Sequence, residues 1–263
     1  MVFLTSKDWL NRQGPYGFMW DHLLFVFFFL ILGFGLAIYL IKKDKKVIKI
    51  VCISLWAFSV LLETVYYGFV YGLCLFDPVN FPFTLESHLP LHSCNMFMYI
   101  FPFAMFSKNK TIKTAANSFL VIVNMIMGFI TLFVGCPAKG YSALSFTGLQ
   151  SIIYHSIIVI VPFIMVITNY YDVQFNDYRY GLALFGILAF SMWIFDFAFH
   201  CDYFFIYDGR TFGVLYEISE NVPHLVWTLI TVSCYIITAL IIHFLIIYIK
   251  RFIQKKNEKK ESI

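Results

Sequence analysis

The sequence predicts an all-α, polytopic integral membrane protein, a bundle of seven transmembrane helices with the N-terminus outside and the C-terminus in the cytoplasm. Three observations carry this prediction. Of the 263 residues, 60% are hydrophobic and only 13% are charged, whereas soluble domains are about one-quarter charged. Seven apolar segments approach the roughly 20 residues that cross a bilayer. Lysine and arginine are distributed very unevenly among the connecting loops.

The seven predicted spans leave no room for a separate soluble module, so residues 1–263 are expected to form a single integral membrane domain. The third span is short and contains Pro90 and Pro102, which indicates a broken or partly re-entrant helix. The seventh is long enough to tilt or to emerge from the bilayer. The predicted spans cover residues 18–41, 47–70, 88–106, 114–134, 150–168, 180–200 and 222–249.

The orientation follows from the basic residues. Fifteen of the 19 lysines and arginines fall in the loops after the first, third and fifth spans and in the tail 250–263. Cytoplasmic loops accumulate such residues, so this side, with its basic tail, is expected to be cytoplasmic. The net charge of +4 therefore reflects membrane topology. We expect membrane lipids as partners and no nucleic acid.

The six cysteines show no CxxC or zinc-finger spacing, and neither a cofactor nor a metal is expected. Cys74, Cys136 and Cys201 fall near one membrane face, which leaves a disulfide among them as an open alternative. A bias toward Lys, Ile, Asn and Phe hints at an AT-rich bacterial genome. The expected location is a bacterial plasma membrane, and the sequence leaves the oligomeric state undetermined.

A layer of polar side chains is predicted about 6–10 Å below the outer boundary, from the helical rise along five spans. Ionisable groups inside spans are costly and usually face the bundle interior. The cytoplasmic half has almost nothing comparable, with Asn124 near the midplane. We therefore expect a cavity open to the outer leaflet. The layer comprises Glu63, His92, Cys94, His155, Asp196, His200 and His224.

Structural roles for some of these residues remain open at this point. Asp196 and His200, at positions i and i+4, can satisfy each other on one helix face. His224 follows Pro223 and can cap a helix start. Glu63 can pair with a histidine or a hydroxyl. The layer is therefore a set of candidates for function.

Cys94 is the candidate nucleophile. It follows Pro90 near a helix start, two residues after His92, and a helix N-terminus and a nearby imidazolium favour the reactive thiolate. A nucleophilic cysteine with a histidine from another helix is typical of acyl transfer. Cys94 would attack an ester carbonyl and His155 would exchange the proton. Backbone N–H groups, helped by Asn95 or His92, would stabilise the oxyanion.

A carboxylate would complete this arrangement by orienting an imidazole, and the candidates are Asp196, Asp202 and Glu63. The abundant esters at that depth are those of glycerophospholipids, so a phospholipid or lysophospholipid is the expected substrate. Water as the acceptor would make the protein a lipase, whereas an alcohol would make it a transferase.

Two motifs and the span layout resemble a known family. Leu89-Pro-Leu-His-Ser-Cys94 and Tyr154-His155-Ser156 look like the corresponding segments of YwaF-type bacterial membrane proteins, which are similar to eukaryotic transmembrane protein 164. The resemblance runs roughly from the second to the seventh span. It implies a phospholipid acyltransferase that works through a cysteine thioester, with Cys94 as nucleophile and His155 as its partner. A family Asn-Tyr stretch reads Asp202-Tyr203-Phe204-Phe205 here, with Asp in place of Asn.

Other functions remain as alternatives. A small-molecule transporter or substrate-binding membrane subunit would use the same cavity and a broken helix, although the chain shows no inverted repeat. A retinal-type receptor is disfavoured because Val222–Ile249 contains no lysine. A metal site is a third alternative, which Pro90 weakens by disturbing the helix. Its ligands would be His88, His92, His155, His200 and Asp202.

Overall fold

The structure is a computed structural model that describes residues 20–79, 82–85, 89–135, 143, 145–207, 209 and 218–261. Helices dominate these residues, and none of them forms a strand, which confirms the all-α prediction. We label the helices in chain order. They are α1 Trp20–Leu40, α2 Lys45–Phe76, α3 Met96–Phe106, α4 Lys110–Val134, α5 Phe146–Ile167, α6 Asp177–Phe199 and α7 His224–Glu261.

Six of these helices are long and apolar enough to cross a membrane. The exception is α3, which has 11 residues and therefore extends only about 16 Å, short of the roughly 30 Å hydrocarbon core. The predicted third span began at residue 88, but residues 89–95 form turns ahead of α3. Pro90 and the polar run around Cys94 account for the delayed start. The seven-span count and the orientation stay predictions.

Helices α4 and α5 form the centre of the bundle. In their spans 67% and 72% of residues are buried, against 17–22% in the other four. Helix α5 packs against α1, α2 and α4, while α4 also packs against α3, α6 and α7. Gly33 of α1 allows close approach, because a Cβ there would lie 2.4 Å from the Ile160 side chain of α5. The remaining helices expose apolar faces, as a surrounding lipid phase requires.

Side-chain caps fix where the two central helices begin. The Asn109 side chain accepts hydrogen bonds from the backbone N–H groups of Thr111 and Ile112, at 2.9 and 3.2 Å. Ser145 accepts from the N–H of Gly148 at 3.0 Å. Each cap satisfies helix N–H groups that lack an intrahelical partner. The caps therefore set the register of both helices.

Helix α4 contains the π-helical segment Leu120–Asn124, and a second, Thr131–Gly135, forms its end. Such segments insert an extra residue into the turn and often occur at functional sites. The first lies midway along the buried part of α4 and contacts α3, α5, α6 and α7. It therefore lies where the elements that carry the candidate residues meet.

The end of the chain differs from the expected tail. Helix α7 continues past the predicted boundary at residue 249 to Glu261. Side chains beyond Phe252 lie outside the described ones, as do His88 of the metal alternative and Cys136 of the disulfide alternative. Cys74 and Cys201 are not bonded to each other.

Candidate active site around Cys94

Cys94 lies in the last turn before α3. The N–H of Asn95 donates to the carbonyl of His92 at 2.9 Å, and the N–H of Phe97 donates to the carbonyl of Cys94 at 3.1 Å. These i to i−3 bonds form a tight entry into the helix. Cys94 is half-buried between the buried Ser93 and Asn95. Cys94 is therefore partly accessible, while its two neighbours in the turn are enclosed.

Asn95 connects the thiol to α2. The Cys94 thiol lies 3.5 Å from Asn95 Oδ1, within the range of a weak S–H donor. The Asn95 amide in turn donates to the hydroxyl of Tyr67 at 3.1 Å. Asn95 was predicted to help at the oxyanion, and in the structure at least one of its N–H groups is bonded to Tyr67.

Asn124 holds the Cys94 turn from α4. Its amide lies 3.0 Å from the carbonyl of Ser93 and 3.3 Å from that of Cys94, and the residue is fully buried. It is the last residue of the first π segment. Breaking a buried hydrogen bond of this kind is costly, because the acceptor carbonyl loses its donor and water cannot replace it.

His155 is 7% exposed on α5, and its ring orientation is set by its own helix. Nδ1 lies 2.7 Å from the carbonyl oxygen of Ser151. A carbonyl only accepts hydrogen bonds, so Nδ1 carries the proton and the lone pair of the neutral ring is on Nε2. That tautomer is suitable for a general base.

The backbone of His155 is packed closely against α4. A Cβ placed on Gly128 would lie 3.2 Å from the carbonyl oxygen of His155 and 2.9 Å from Val159. Gly128 follows Asn124 by four residues, so both lie on one side of α4. One face of α4 therefore holds both the Cys94 turn and the His155 segment of α5.

Tyr154, the first residue of the family motif Tyr154-His155-Ser156, is a further candidate site residue. It is fully buried, and its ring meets that of His155 edge-on at 5.3 Å. The described residues supply no hydrogen-bond partner for the Tyr154 hydroxyl. The sequence gives little sign that a tyrosine inside an apolar run belongs to a functional site, because aromatic residues are common throughout this chain.

Glu63 lies on α2 with only 6% of its surface exposed. Its carboxylate accepts a hydrogen bond from Gln150 Nε2 at 2.8 Å. One turn farther along α2, Tyr67 accepts a hydrogen bond from Asn95, the neighbour of Cys94. Glu63, a predicted site residue, therefore lies in the neighbourhood of Cys94, held by an amide of α5.

The two buried aspartates organise the turn after α6. Asp196 Oδ1 accepts from the N–H of Tyr203 at 3.0 Å, and Asp202 Oδ1 accepts from the N–H of Tyr207 at 3.1 Å. Both carboxylates are fully buried. These contacts are made to backbone rather than to an imidazole.

The three remaining histidines of the predicted layer differ in environment. His92 packs its ring against Tyr203 and Phe205, at 4.9 and 5.9 Å. His200 is exposed and ends α6 in the left-handed conformation, with φ of 54°. His224 begins α7, exposed and stacked on Tyr207 at 4.8 Å. Only His92 is therefore near Cys94 in both sequence and fold.

The turn 202–207 supports the segment before Cys94. Tyr203 donates from its hydroxyl to the carbonyl of Leu85 at 2.6 Å and lies 3.4 Å from that of Leu89. Phe204 and Phe205 both have positive φ, 60° and 57°, a strained conformation for bulky residues.

Helix α7 offsets this strain by binding successive carbonyls of the turn. The carbonyl oxygen of Phe204 lies 3.2 Å from the Tyr235 hydroxyl, and that of Phe205 accepts from Trp227 Nε1 at 3.1 Å. The carbonyl of Ile206 accepts from Thr228 at 2.7 Å. Because Tyr235 also lies 3.5 Å from Ser93 Oγ, α7 ties this turn to the Cys94 turn.

Polar side chains are also buried toward the other end of the bundle, which the sequence did not lead us to expect. Asn117 bonds to the carbonyl of Lys113, and His243 lies 3.0 Å from the carbonyl of Phe175. Asp177 accepts from Tyr171 at 2.7 Å. In that loop burial raises the pKa of Tyr171. Their positions near the ends of the predicted spans give little sign of burial in the sequence.

A groove of about 290 Å³ lies between α6 and α7. Its lining includes neither Cys94 nor His155, although Ile206 connects it to the turn 202–207. It is lined by Gly186, Ala189, Phe190, Trp193, Ile206, Leu225, Thr228 and Val232. Among the described residues, no group of three or more His, Cys, Asp and Glu side chains is placed to hold a metal ion.

Comparison with known proteins gives one match. The model of the TMEM164 family matches residues 17–249, most of the chain. No curated protein and no solved structure matches the chain.

Proposed function

Since the chain belongs to the TMEM164 family, we propose that this multi-pass membrane protein transfers acyl groups between phospholipids through a thioester on Cys94. The family resemblance implies this chemistry, and the geometry around Cys94 supports it. The supporting observation is a half-buried thiol, hydrogen-bonded to Asn95, in a turn held by Asn124 from the centre of the bundle.

The first half-reaction acylates the enzyme. The Cys94 thiol proton passes to Nε2 of His155, and the sulfur attacks the ester carbonyl of a phospholipid. A C–S bond forms, the C–O bond breaks, and the leaving alkoxide takes the proton from the imidazolium. The products are acyl-Cys94 and a lysophospholipid.

The second half-reaction reverses these roles. The hydroxyl of a lysophospholipid or another alcohol gives its proton to His155, and its oxygen attacks the thioester. The C–S bond breaks and the thiol is restored. With water as the acceptor the same steps release a fatty acid, so the acceptor decides between transferase and lipase.

The membrane placement is part of the proposal. Helix α3 and the turns at 89–95 together form one crossing, the third in chain order, which brings the total to seven. The N-terminus is then outside and the C-terminus cytoplasmic. Cys94 then lies in the outer leaflet near the ester linkages of the lipids, in the plasma membrane of a bacterium.

Intact-protein mass spectrometry after incubation with phospholipids tests the proposal. We expect a fatty-acyl mass increment that neutral hydroxylamine removes and that is lost in Cys94→Ser and in His155→Ala. Cys234→Ser is the matched control, because Cys234 is an exposed thiol on α7. Retention of the increment in Cys94→Ser would contradict the thioester.

A transporter or substrate-binding subunit is the second candidate, and one observation favours it. Buried polar groups such as Asp177 and His243 occur toward the far end of the bundle, so polar side chains are not restricted to one half. Asp177, however, accepts hydrogen bonds from Tyr171 and from the N–H of Gln174, and His243 lies 3.0 Å from the carbonyl of Phe175. A protein that is never acylated, and whose Cys94 resists alkylation, would favour this candidate.

A further inference from the structure

An acyl transfer at Cys94 needs hydrogen-bond donors for the oxyanion that forms on the substrate carbonyl. Many donors of the Cys94 turn are already committed. The N–H groups of Asn95, Phe97 and Met98 donate to the carbonyls of His92, Cys94 and Asn95, at 2.9, 3.1 and 3.0 Å. The Asn95 amide donates to Tyr67. A donor from another element would therefore add to the few that the turn itself can supply.

Tyr154 of α5 carries such a donor. Its side chain is fully buried, and its hydroxyl has no hydrogen-bond partner among the described residues. Buried tyrosine hydroxyls almost always find one. The ring of Tyr154 meets that of His155, the proposed general base, edge-on at 5.3 Å. On α4, Gly128 lies against the backbone of His155 one turn from Asn124, which holds the Cys94 turn. An unsatisfied donor is therefore held on the segment of α5 that packs one turn along α4 from the Cys94 turn.

We infer that Tyr154 is a further catalytic residue, whose hydroxyl donates a hydrogen bond to the oxyanion of the tetrahedral intermediate at Cys94. The inference rests on the proposed acyl transfer. It involves no transfer of the phenolic proton, which stays on the tyrosine throughout. The bond forms only when negative charge develops on the carbonyl oxygen, so it stabilises the transition state more than the bound ester.

The test compares two reactions of the same thiol in Tyr154→Phe. Acylation of Cys94 by phospholipid passes through an oxyanion. Alkylation by iodoacetamide displaces iodide from a saturated carbon and forms no oxyanion. We expect the acylation rate to fall about 100- to 1,000-fold while the alkylation rate changes less than about twofold. Thermal stability should be equal or higher, since the variant removes a buried hydroxyl without a partner.

Tyr171→Phe is the matched control. It removes the hydroxyl of a half-buried tyrosine, which donates to Asp177. Tyr171 lies near Met165, whose carbonyl accepts from its N–H, about 16 Å along α5 from Tyr154, and the variant should leave both rates unchanged. Equal acylation by Tyr154→Phe and the wild type would overturn the inference and leave the proposed function intact. A parallel loss of acylation and alkylation would also overturn it, because it would indicate a structural role. If the wild-type protein is never acylated, the proposed function fails and the inference fails with it.

Discussion

The side-chain amide of Asn124 lies 3.0 Å from the carbonyl oxygen of Ser93, 31 residues earlier in the chain, and 3.3 Å from that of Cys94. This contact ties the turn that carries the candidate nucleophile to the most central part of the bundle. Four residues farther along α4, Gly128 contacts the backbone of His155. The relative position of the cysteine and the histidine is therefore controlled by one helix that supplies neither of them.

Asn124→Leu should uncouple the Cys94 turn. The variant keeps a similar volume but removes the amide donor. The Cys94 carbonyl keeps the N–H of Phe97, whereas the buried Ser93 carbonyl loses this bond, at a cost of about 1–3 kcal/mol. We expect a lower denaturation midpoint and at least a tenfold slower acylation of Cys94 in the mass-spectrometric assay.

Asn117→Leu is the control for that variant. Asn117 is buried on the same helix, but its amide bonds to the carbonyl of Lys113 within α4. It should lose stability without a specific loss of acylation. Equal acylation rates in the two variants would contradict the role assigned to Asn124.

Gly128→Ala should displace the His155 segment. The added Cβ would lie 2.9 Å from Val159 and 3.2 Å from the His155 carbonyl oxygen, distances at which α5 or its side chains must shift. Such a shift of the general base is expected to slow acylation at least severalfold and to lower the melting temperature.

Gly35→Ala provides the comparison, because nothing lies within 4 Å of a Cβ at that position. It should raise stability by about 0.5–1 kcal/mol through helix propensity and leave acylation unchanged. A Gly128→Ala protein with normal acylation would show that α5 tolerates the added methyl group.

The sequence predicted the helical bundle and most helix positions because long apolar runs determine them with little help from tertiary contacts. It also predicted Cys94 and His155 as candidate site residues, since polar groups are conspicuous inside apolar spans, and their roles stay predictions. It did not predict the contacts of Asn124 or the burial of Tyr154, because these depend on how helices are arranged around the bundle. It could not predict positive φ at Phe204 and Phe205 either, since this conformation is typical of Gly and Asn.

Gln150→Leu should destabilise the protein by removing a donor from a buried carboxylate. Gln150 donates to Glu63 at 2.8 Å, and a hydrogen bond to a charged group is worth about 1.5–3 kcal/mol. Chemical denaturation should detect a loss of that size.

The double variant Glu63→Leu/Gln150→Leu separates pairing from packing. If the two side chains act as a pair, the double variant should be more stable than Gln150→Leu alone, because no carboxylate remains to be satisfied. Additive losses in the two single variants and the double variant would contradict a direct coupling between Glu63 and Gln150.

Tyr203→Phe tests whether the turn after α6 supports the segment that leads to Cys94. The Tyr203 hydroxyl bonds to the carbonyl of Leu85 at 2.6 Å and lies 3.4 Å from that of Leu89, while its ring packs against His92. Removing only the hydroxyl keeps the ring contact and breaks the tie. Hydrogen exchange at the amides of Leu89, Leu91 and His92 should therefore accelerate by about fivefold or more, the equivalent of a bond worth about 1 kcal/mol, and acylation should slow. Tyr178→Phe is the control. The ring of Tyr178 packs against His243 at the other end of α6, so this variant should change neither the exchange rates nor the acylation rate. Unchanged exchange at Leu89, Leu91 and His92 in Tyr203→Phe would contradict the support that Tyr203 is proposed to give to the segment before Cys94.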